Sequence, residues 1–135
     1  MAPAFRLKGL SAGLLLSAAL ALAACDRYAD DIAAVKQAQV LGDSTGEKLC
    51  TDIAGVRGSF EWEAGRSEAY KDNPDIVQVT CKVTRQTSSG AVRHVDLEFI
   101  HNRQTRKVAL DRVLIDGQEQ SIVSGMLNLL LMQLQ

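Results

Sequence analysis

The sequence is short of aromatic residues, basic clusters and long apolar runs, and each shortage excludes a class of function. Aromatic residues make up 4% of the 135 positions, which leaves few rings on which bases or sugars can stack. No stretch is dominated by lysine and arginine, so nothing indicates a nucleic-acid surface. No apolar run reaches the roughly 20 residues that a transmembrane helix needs.

Metal and acid–base motifs are also missing. The chain has neither HExxH nor CxxC spacing. Two carboxylate pairs are present, Asp30/Asp31 and Glu61/Glu63. The two glutamates are predicted to be solvated, and the sequence gives no sign of the burial or close like charge that raises a carboxylate pKa for acid catalysis. We therefore expect no enzymatic activity, no metal and no cofactor.

The most specific motif lies near the N-terminus. Arg6 and Lys8 precede an uncharged stretch of 16 residues, 9–24, which is too short to span a bilayer. The stretch ends in Leu22-Ala23-Ala24-Cys25, an order that resembles the lipobox of bacterial lipoprotein signal peptides. The resemblance implies cleavage before Cys25 and attachment of fatty acyl chains, palmitate among them, to its sulfur and its new amino terminus. The alternative is an ordinary secretory signal peptide that is cleaved after Ala24. Leu22 argues against it, because it lies three residues before the cysteine, as in a lipobox.

The same motif divides the chain and indicates its location. We expect a signal peptide at 1–24, a lipidated tether at 25–31 and one small domain at 32–135. The processed chain has 13 basic and 16 acidic residues, a net charge of −3. Asp26 resembles the inner-membrane retention signal of enteric bacteria. It favours the inner membrane slightly over the outer, with the domain facing the periplasm.

Assigning Cys25 to lipid leaves Cys50 and Cys81 as a possible pair. Cys81 belongs to the inward set of a predicted strand, and Cys50 lies on the apolar face of a predicted short helix. In an oxidising compartment these two cysteines form a disulfide. Two buried free thiols are the alternative, because free cysteine is itself a frequently buried residue.

The hydrophobic pattern predicts an α+β domain. N-terminal helical segments are followed by about four antiparallel strands, and a C-terminal helix packs with them on one sheet face. The predicted strands are 59–64, 76–84, 92–100 and 106–115, the last with a bulge near Arg112, where the apolar phase shifts.

Three further features bear on function. Trp62 is either a core anchor of the sheet or an exposed contact residue flanked by Glu61 and Glu63. His94 and His101, seven positions apart, are predicted on opposite faces and at the surface, so they do not form a metal site. The C-terminal helix carries more leucine than one side can hold. Either the domain buries all of it, or a remainder is left for a partner or the membrane surface.

These observations predict a non-catalytic, lipid-anchored periplasmic protein that presents a protein-binding surface in an envelope complex. The alternative is an inhibitor or immunity-type lipoprotein that binds a secreted toxin or hydrolase. In both cases the partners are the membrane, through the N-terminal lipid, and a protein that the sequence does not identify.

Overall fold

The described part of the chain contains three helices and seven strands. The computed structural model describes residues 27–133, and residues from Asp31 onward belong to one compact unit. The helices are α1 (Ala29–Gln37), α2 (Gly46–Ala54) and α3 (Ile122–Gln133); the strands are β1 (Gln39–Leu41), β2 (Ser44–Thr45), β3 (Gly58–Arg66), β4 (Ile76–Gln86), β5 (Val92–Asn102), β6 (Val108–Ile115) and β7 (Gln118–Gln120).

The predicted α+β class is confirmed, as are the antiparallel pairing and the C-terminal helix. The predicted count of four strands is wrong. The main sheet has five strands in the order β3-β4-β5-β6-β7, and β1 and β2 form a separate two-stranded sheet. Strand β7 escapes prediction because Gln118, Glu119 and Gln120 are all polar and show no alternation. They become a strand by pairing with the end of β6.

The two faces of the main sheet differ in polarity. On the helix-covered face, one row across the strands runs from Trp62 through Cys81 and Leu97 to Val113. The last three of these residues are fully buried. The open face carries the intervening residues, such as Glu61, so each strand alternates as an antiparallel sheet solvated on one side should.

Strand β6 contains the predicted irregularity. Glu98 pairs with Arg112, but the next residue, Phe99, pairs with Leu110, so Asp111 is the extra residue. Because of this extra residue, the side chains of Leu110 and Val113 lie on the same face of the sheet although they are three positions apart in the sequence. The prediction of a bulge near Arg112 is confirmed.

Helix α2 has clear stop and start signals. The Thr45 hydroxyl accepts a hydrogen bond from the backbone N–H of Lys48 at 3.1 Å, which caps the N-terminus. The helix ends at Gly55, whose φ of +63° suits glycine. There the guanidinium of Arg85 donates to the carbonyl of Ile53 at 3.1 Å. The positive charge of Arg85 in β4 thus lies at the C-terminus of α2, which is the negative end of the helix dipole.

The predicted disulfide between Cys50 and Cys81 is confirmed. It joins the buried side of α2 to the middle of β4, with 6.6 Å between the two Cα atoms. Both cysteines have no exposed surface. The bridge therefore fixes α2 on the apolar face of the sheet from inside the core.

Helix α3 approaches the sheet closely at a glycine. A Cβ on Gly125 would lie 2.9 Å from the Cβ of Val113 in β6, so only glycine lets the helix backbone come this near. Leu129 and Met132 continue the buried side of the helix. The contact positions α3 beside β6 and β7.

Removing the disulfide should lower stability substantially. We expect the double variant Cys50→Ala, Cys81→Ala to lose about 3–4 kcal/mol of unfolding free energy, because cross-linking residues 31 positions apart restricts the unfolded chain. Urea denaturation under oxidising conditions measures the loss. The reduced wild-type protein is the control for the lost sulfur atoms. A double variant as stable as the oxidised wild type would contradict the role given to the bridge.

Candidate functional site

Two residues predicted to matter for location, Cys25 and Asp26, lie outside the described residues. Lipidation and sorting therefore stay predictions. Cys50 and Cys81 are structural, as described above.

Trp62 lies on the helix-covered face of β3, the outermost strand, and is half-buried. Its ring meets Phe60 edge-on, with 6.4 Å between centroids, and lies 6.1 Å from the ring of Phe99. The ammonium group of Lys36 in α1 sits 5.9 Å from the indole centroid, a cation–π distance. Trp62 is thus a core anchor that still reaches solvent at the border of the sheet.

A buried carboxylate joins α1 to β5 and the turn after it. Asp31, 2% exposed, places Oδ1 2.7 Å from Nδ1 of His101. The guanidinium of Arg103 donates to both oxygens, from Nε to Oδ1 at 3.1 Å and from Nη2 to Oδ2 at 2.7 Å. Two basic side chains thus saturate one carboxylate.

Burial alone would disfavour a charged Asp31, yet its pKa is held below the ordinary value. The hydrogen bonds and positive charges of Arg103 and His101 outweigh the desolvation. The ionised form of Asp31 therefore stabilises the fold.

The prediction that both histidines are surface residues is wrong for His101. His94 is exposed on the open face, whereas His101 is only 9% exposed on the opposite face. The sequence did hold a signal, because His101 continues the inward phase of Val95, Leu97 and Phe99. Its partner is harder to predict: Asp31 is 70 positions away and next to Asp30, which is exposed.

The cluster of Asp31, His101 and Arg103 has a structural role. Within residues 27–133, no group of three or more histidine, cysteine, aspartate or glutamate side chains gathers in a way that could hold a metal ion. Both Asp31 oxygens are already engaged by His101 and Arg103. The cluster thus fixes the start of α1 to the sheet.

The segment that leads into α2 carries a serine motif. Residues Gly42 to Gly46 read G-x-S-x-G, the pattern of a nucleophile elbow, in which a strained turn exposes the serine. Here the positive φ belongs to Gly42, while Ser44 is extended in β2 and pairs with Leu41. Nδ1 of His101 is instead paired with Asp31, at 2.7 Å. Ser44 therefore lacks the geometry of an activated serine.

The open face of the sheet is acidic and partly covered. The Tyr70 hydroxyl, in the segment between β3 and β4, lies 3.5 Å from Oδ1 of Asp111 in β6, so this segment spans the width of the central strands. Glu98 is buried there, and burial raises its pKa. Arg112 partly offsets the rise, whereas Asp96, Asp111 and Glu119 add to it. Carboxylates thus dominate this face.

The outer side of α3 is apolar and uncovered within the part of the chain that the structure describes. Val123 and Leu127 are 81% and 56% exposed, and Leu130 and Leu131 are 60% and 52% exposed. At 3.6 residues per turn these four side chains fall within about 100° of arc. The sequence left open whether a remainder of the helix stays uncovered, and within residues 27–133 one does.

Comparison with known proteins finds no matching family model, no matching curated protein and no matching solved structure. No helix within residues 27–133 has the length and apolar character needed to cross a membrane. The geometry of the chain itself is thus the basis for a functional proposal.

Replacing Asp31 should make stability less dependent on pH. Because its folded pKa is depressed, its stabilisation is present above about pH 4 and is lost as pH falls through the folded pKa. We expect Asp31→Asn to lose about 1–2 kcal/mol at neutral pH, allowing for the solvent exposure of Arg103. The loss should shrink in acid. Urea denaturation at several pH values measures this, with the exposed neighbour Asp30→Asn as control. Equal losses at pH 7 and pH 3 would contradict it.

Proposed function

We propose that the protein is a non-catalytic, lipid-anchored accessory protein of the bacterial envelope that binds a protein partner through α3. The single observation that carries the proposal is the uncovered apolar stripe of that helix, formed by Val123, Leu127, Leu130 and Leu131. Apolar surface of this kind is costly in water unless a partner removes it from solvent.

The spacing of the stripe fits recognition of a helix by a groove. Its members stand at positions i, i+4, i+7 and i+8, the pattern by which an amphipathic helix inserts into an apolar groove. Opposite them, Gly125, Leu129 and Met132 hold α3 to its own domain. The helix therefore presents one side outward while the other secures it.

A protein groove suits the stripe better than a lipid surface does. Helices that lie on membranes carry lysine or arginine on the polar side and often tryptophan or phenylalanine on the apolar side. Helix α3 has none of these residues, and its flanking exposed positions are the neutral Ser124 and Asn128. Asn128 is itself engaged, donating to the Gln120 side chain at 3.2 Å.

The anchor part of the proposal rests on the lipobox that ends at Cys25. Each buried methylene of a lipid chain contributes about 0.8 kcal/mol, and a single chain binds only marginally. Several chains on Cys25 make attachment effectively permanent. The binding surface then works at the membrane on which the chain is anchored.

Site-specific cross-linking of the full lipoprotein in living cells tests the binding role. A photoreactive amino acid at Leu130 should give one discrete adduct with a protein, and the same substitution at the exposed Gln104 should not. Leu127→Asp, combined with cross-linking at Leu130, should abolish the adduct because a charge cannot enter an apolar groove. The identity of the captured protein separates an envelope complex from a toxin or hydrolase target.

Two measurements keep that experiment interpretable. Leu127 is exposed, so Leu127→Asp should change the unfolding free energy by less than about 0.5 kcal/mol. In contrast, Leu129→Ala removes a buried side chain and should cost about 2–5 kcal/mol. Adducts at Leu130 with lipid alone would place the stripe on the bilayer. Equal protein adducts at Leu130 and Gln104 would remove the proposed site.

The anchor has its own test. Cys25→Ser removes the sulfur that receives lipid, so the variant should stay unprocessed or become soluble. Fractionation of membranes and the mobility of the protein on a gel report both outcomes. Unchanged membrane partition together with unchanged mobility would show that Cys25 is not lipidated.

A further inference from the structure

Strand β3 leaves one long edge of the main sheet unpaired. Within residues 27–133, β3 pairs only with β4, in an unbroken register of nine residue pairs from Gly58 to Arg66. The opposite border of the sheet is the three-residue β7, which lies beside α3. Among the described strands, the outer side of β3 therefore presents the longest run of unpaired backbone groups.

This edge has little of the usual protection against pairing beyond the charges of Glu61, Glu63 and Arg66. Natural edge strands are blunted by proline, lysine, bulges or a covering element. Strand β3 contains neither proline nor lysine and has no bulge. The end of α2 approaches it at Gly58, where a Cβ would clash with the carbonyl of Ala54. From Ser59 to Arg66 no residue is buried.

The side chains of β3 define what an added strand must carry. Phe60 and Trp62 face the helix-covered side, and both keep exposed surface at the border of the sheet. Glu61 and Glu63 face the open side, where Lys82 is the neighbouring cation, 3.4 Å from Glu63. An added strand would thus meet rings on one side and carboxylates on the other.

A second copy of this chain fits that edge poorly. Two β3 strands pairing antiparallel about a twofold axis at any residue from Phe60 to Ala64 bring Glu61 or Glu63 opposite or diagonal to a glutamate of the other copy. Like charges in those positions destabilise a strand pair. The carboxylates thus disfavour self-association and favour a strand of opposite charge.

We propose that the outer edge of β3 binds an extended segment of a protein partner in which apolar residues alternate with lysine or arginine. Backbone hydrogen bonds supply the attachment, as in other cases of strand addition. The apolar residues pack beside Phe60 and Trp62, and the basic residues face Glu61 and Glu63. The proposal rests on the role as a binding protein but uses a surface separate from the α3 stripe, so either can fail alone.

A peptide titration of the whole mature domain tests the proposal. The probe is an end-blocked peptide of alternating valine and lysine, compared with a matched peptide of valine and glutamate. Trp62 is the single tryptophan of the chain, so its fluorescence reports binding at this edge. We expect saturable binding of the lysine peptide, about tenfold or more tighter than that of the glutamate peptide.

Charge reversal on the protein gives the matched control. Glu61→Lys with Glu63→Lys should invert the preference, so that the glutamate peptide binds more tightly. Glu68→Lys makes one such charge change outside β3, at an exposed position, and should keep the original preference. Because Glu63→Lys removes the pair with Lys82, the single variant Glu61→Lys serves as a second test and should show a partial shift.

Backbone methylation separates strand addition from general attraction of charges. Two N-methylated versions of the lysine peptide are compared. One is methylated on every odd-numbered backbone nitrogen and the other on every even-numbered one, so each lacks the N–H donors along one of its two edges. Methylation in one phase should abolish binding, and in the other phase it should be tolerated. Equal binding of both methylated peptides would overturn the proposal, as would unchanged preference in the double variant or no saturable binding. Leu127→Asp should leave the titration unaltered, which distinguishes failure here from failure of the α3 site.

Discussion

The bond between Cys50 and Cys81 is the constraint on which the rest of the structure depends. It fixes α2 to the centre of the sheet and so assigns the apolar face of the strands to the helices. At one side of that layer, Asp31 ties α1 to His101 and Arg103. At the other, the close contact of Gly125 with Val113 seats α3. A domain this small gains much of its order from such fixed points.

Covering one face in this way leaves three surfaces outside the core. The open face is polar and acidic, the edge of β3 is unpaired within the described chain, and the outer side of α3 is apolar. The last two are unfavourable for a protein that stays alone in water. We propose a binding role because the chain exposes an uncharged leucine stripe and a long strand edge beside a well-formed core.

Sequence patterns predicted much of the fold because local chemistry determines it. Alternation identified β3 to β6, and the shift between Leu110 and Val113 identified the bulge. Cys50 and Cys81 were predictable from their places in two apolar patterns. Strand β7 was not predictable, since its residues are polar and only pairing with β6 makes them extended.

The candidate site was less predictable because it depends on tertiary contacts. His101 continues an inward phase, but nothing local connects it with Asp31, and identical neighbours Asp30 and Asp31 have opposite environments. The leucine-rich character of α3 was evident. Which of those leucines remain exposed depends on how close the helix lies to β6. The contact between Gly125 and Val113 sets that distance, and this contact exists only in the folded structure.

The central claim is that α3 is covered by a protein when the chain is on its native membrane. Hydrogen–deuterium exchange followed by mass spectrometry measures this directly on the lipoprotein in native membranes and after purification in detergent. We expect slower amide exchange across α3 in the native membranes than in the purified protein, with unchanged exchange in α2. Equal exchange of α3 amides in both preparations would contradict it.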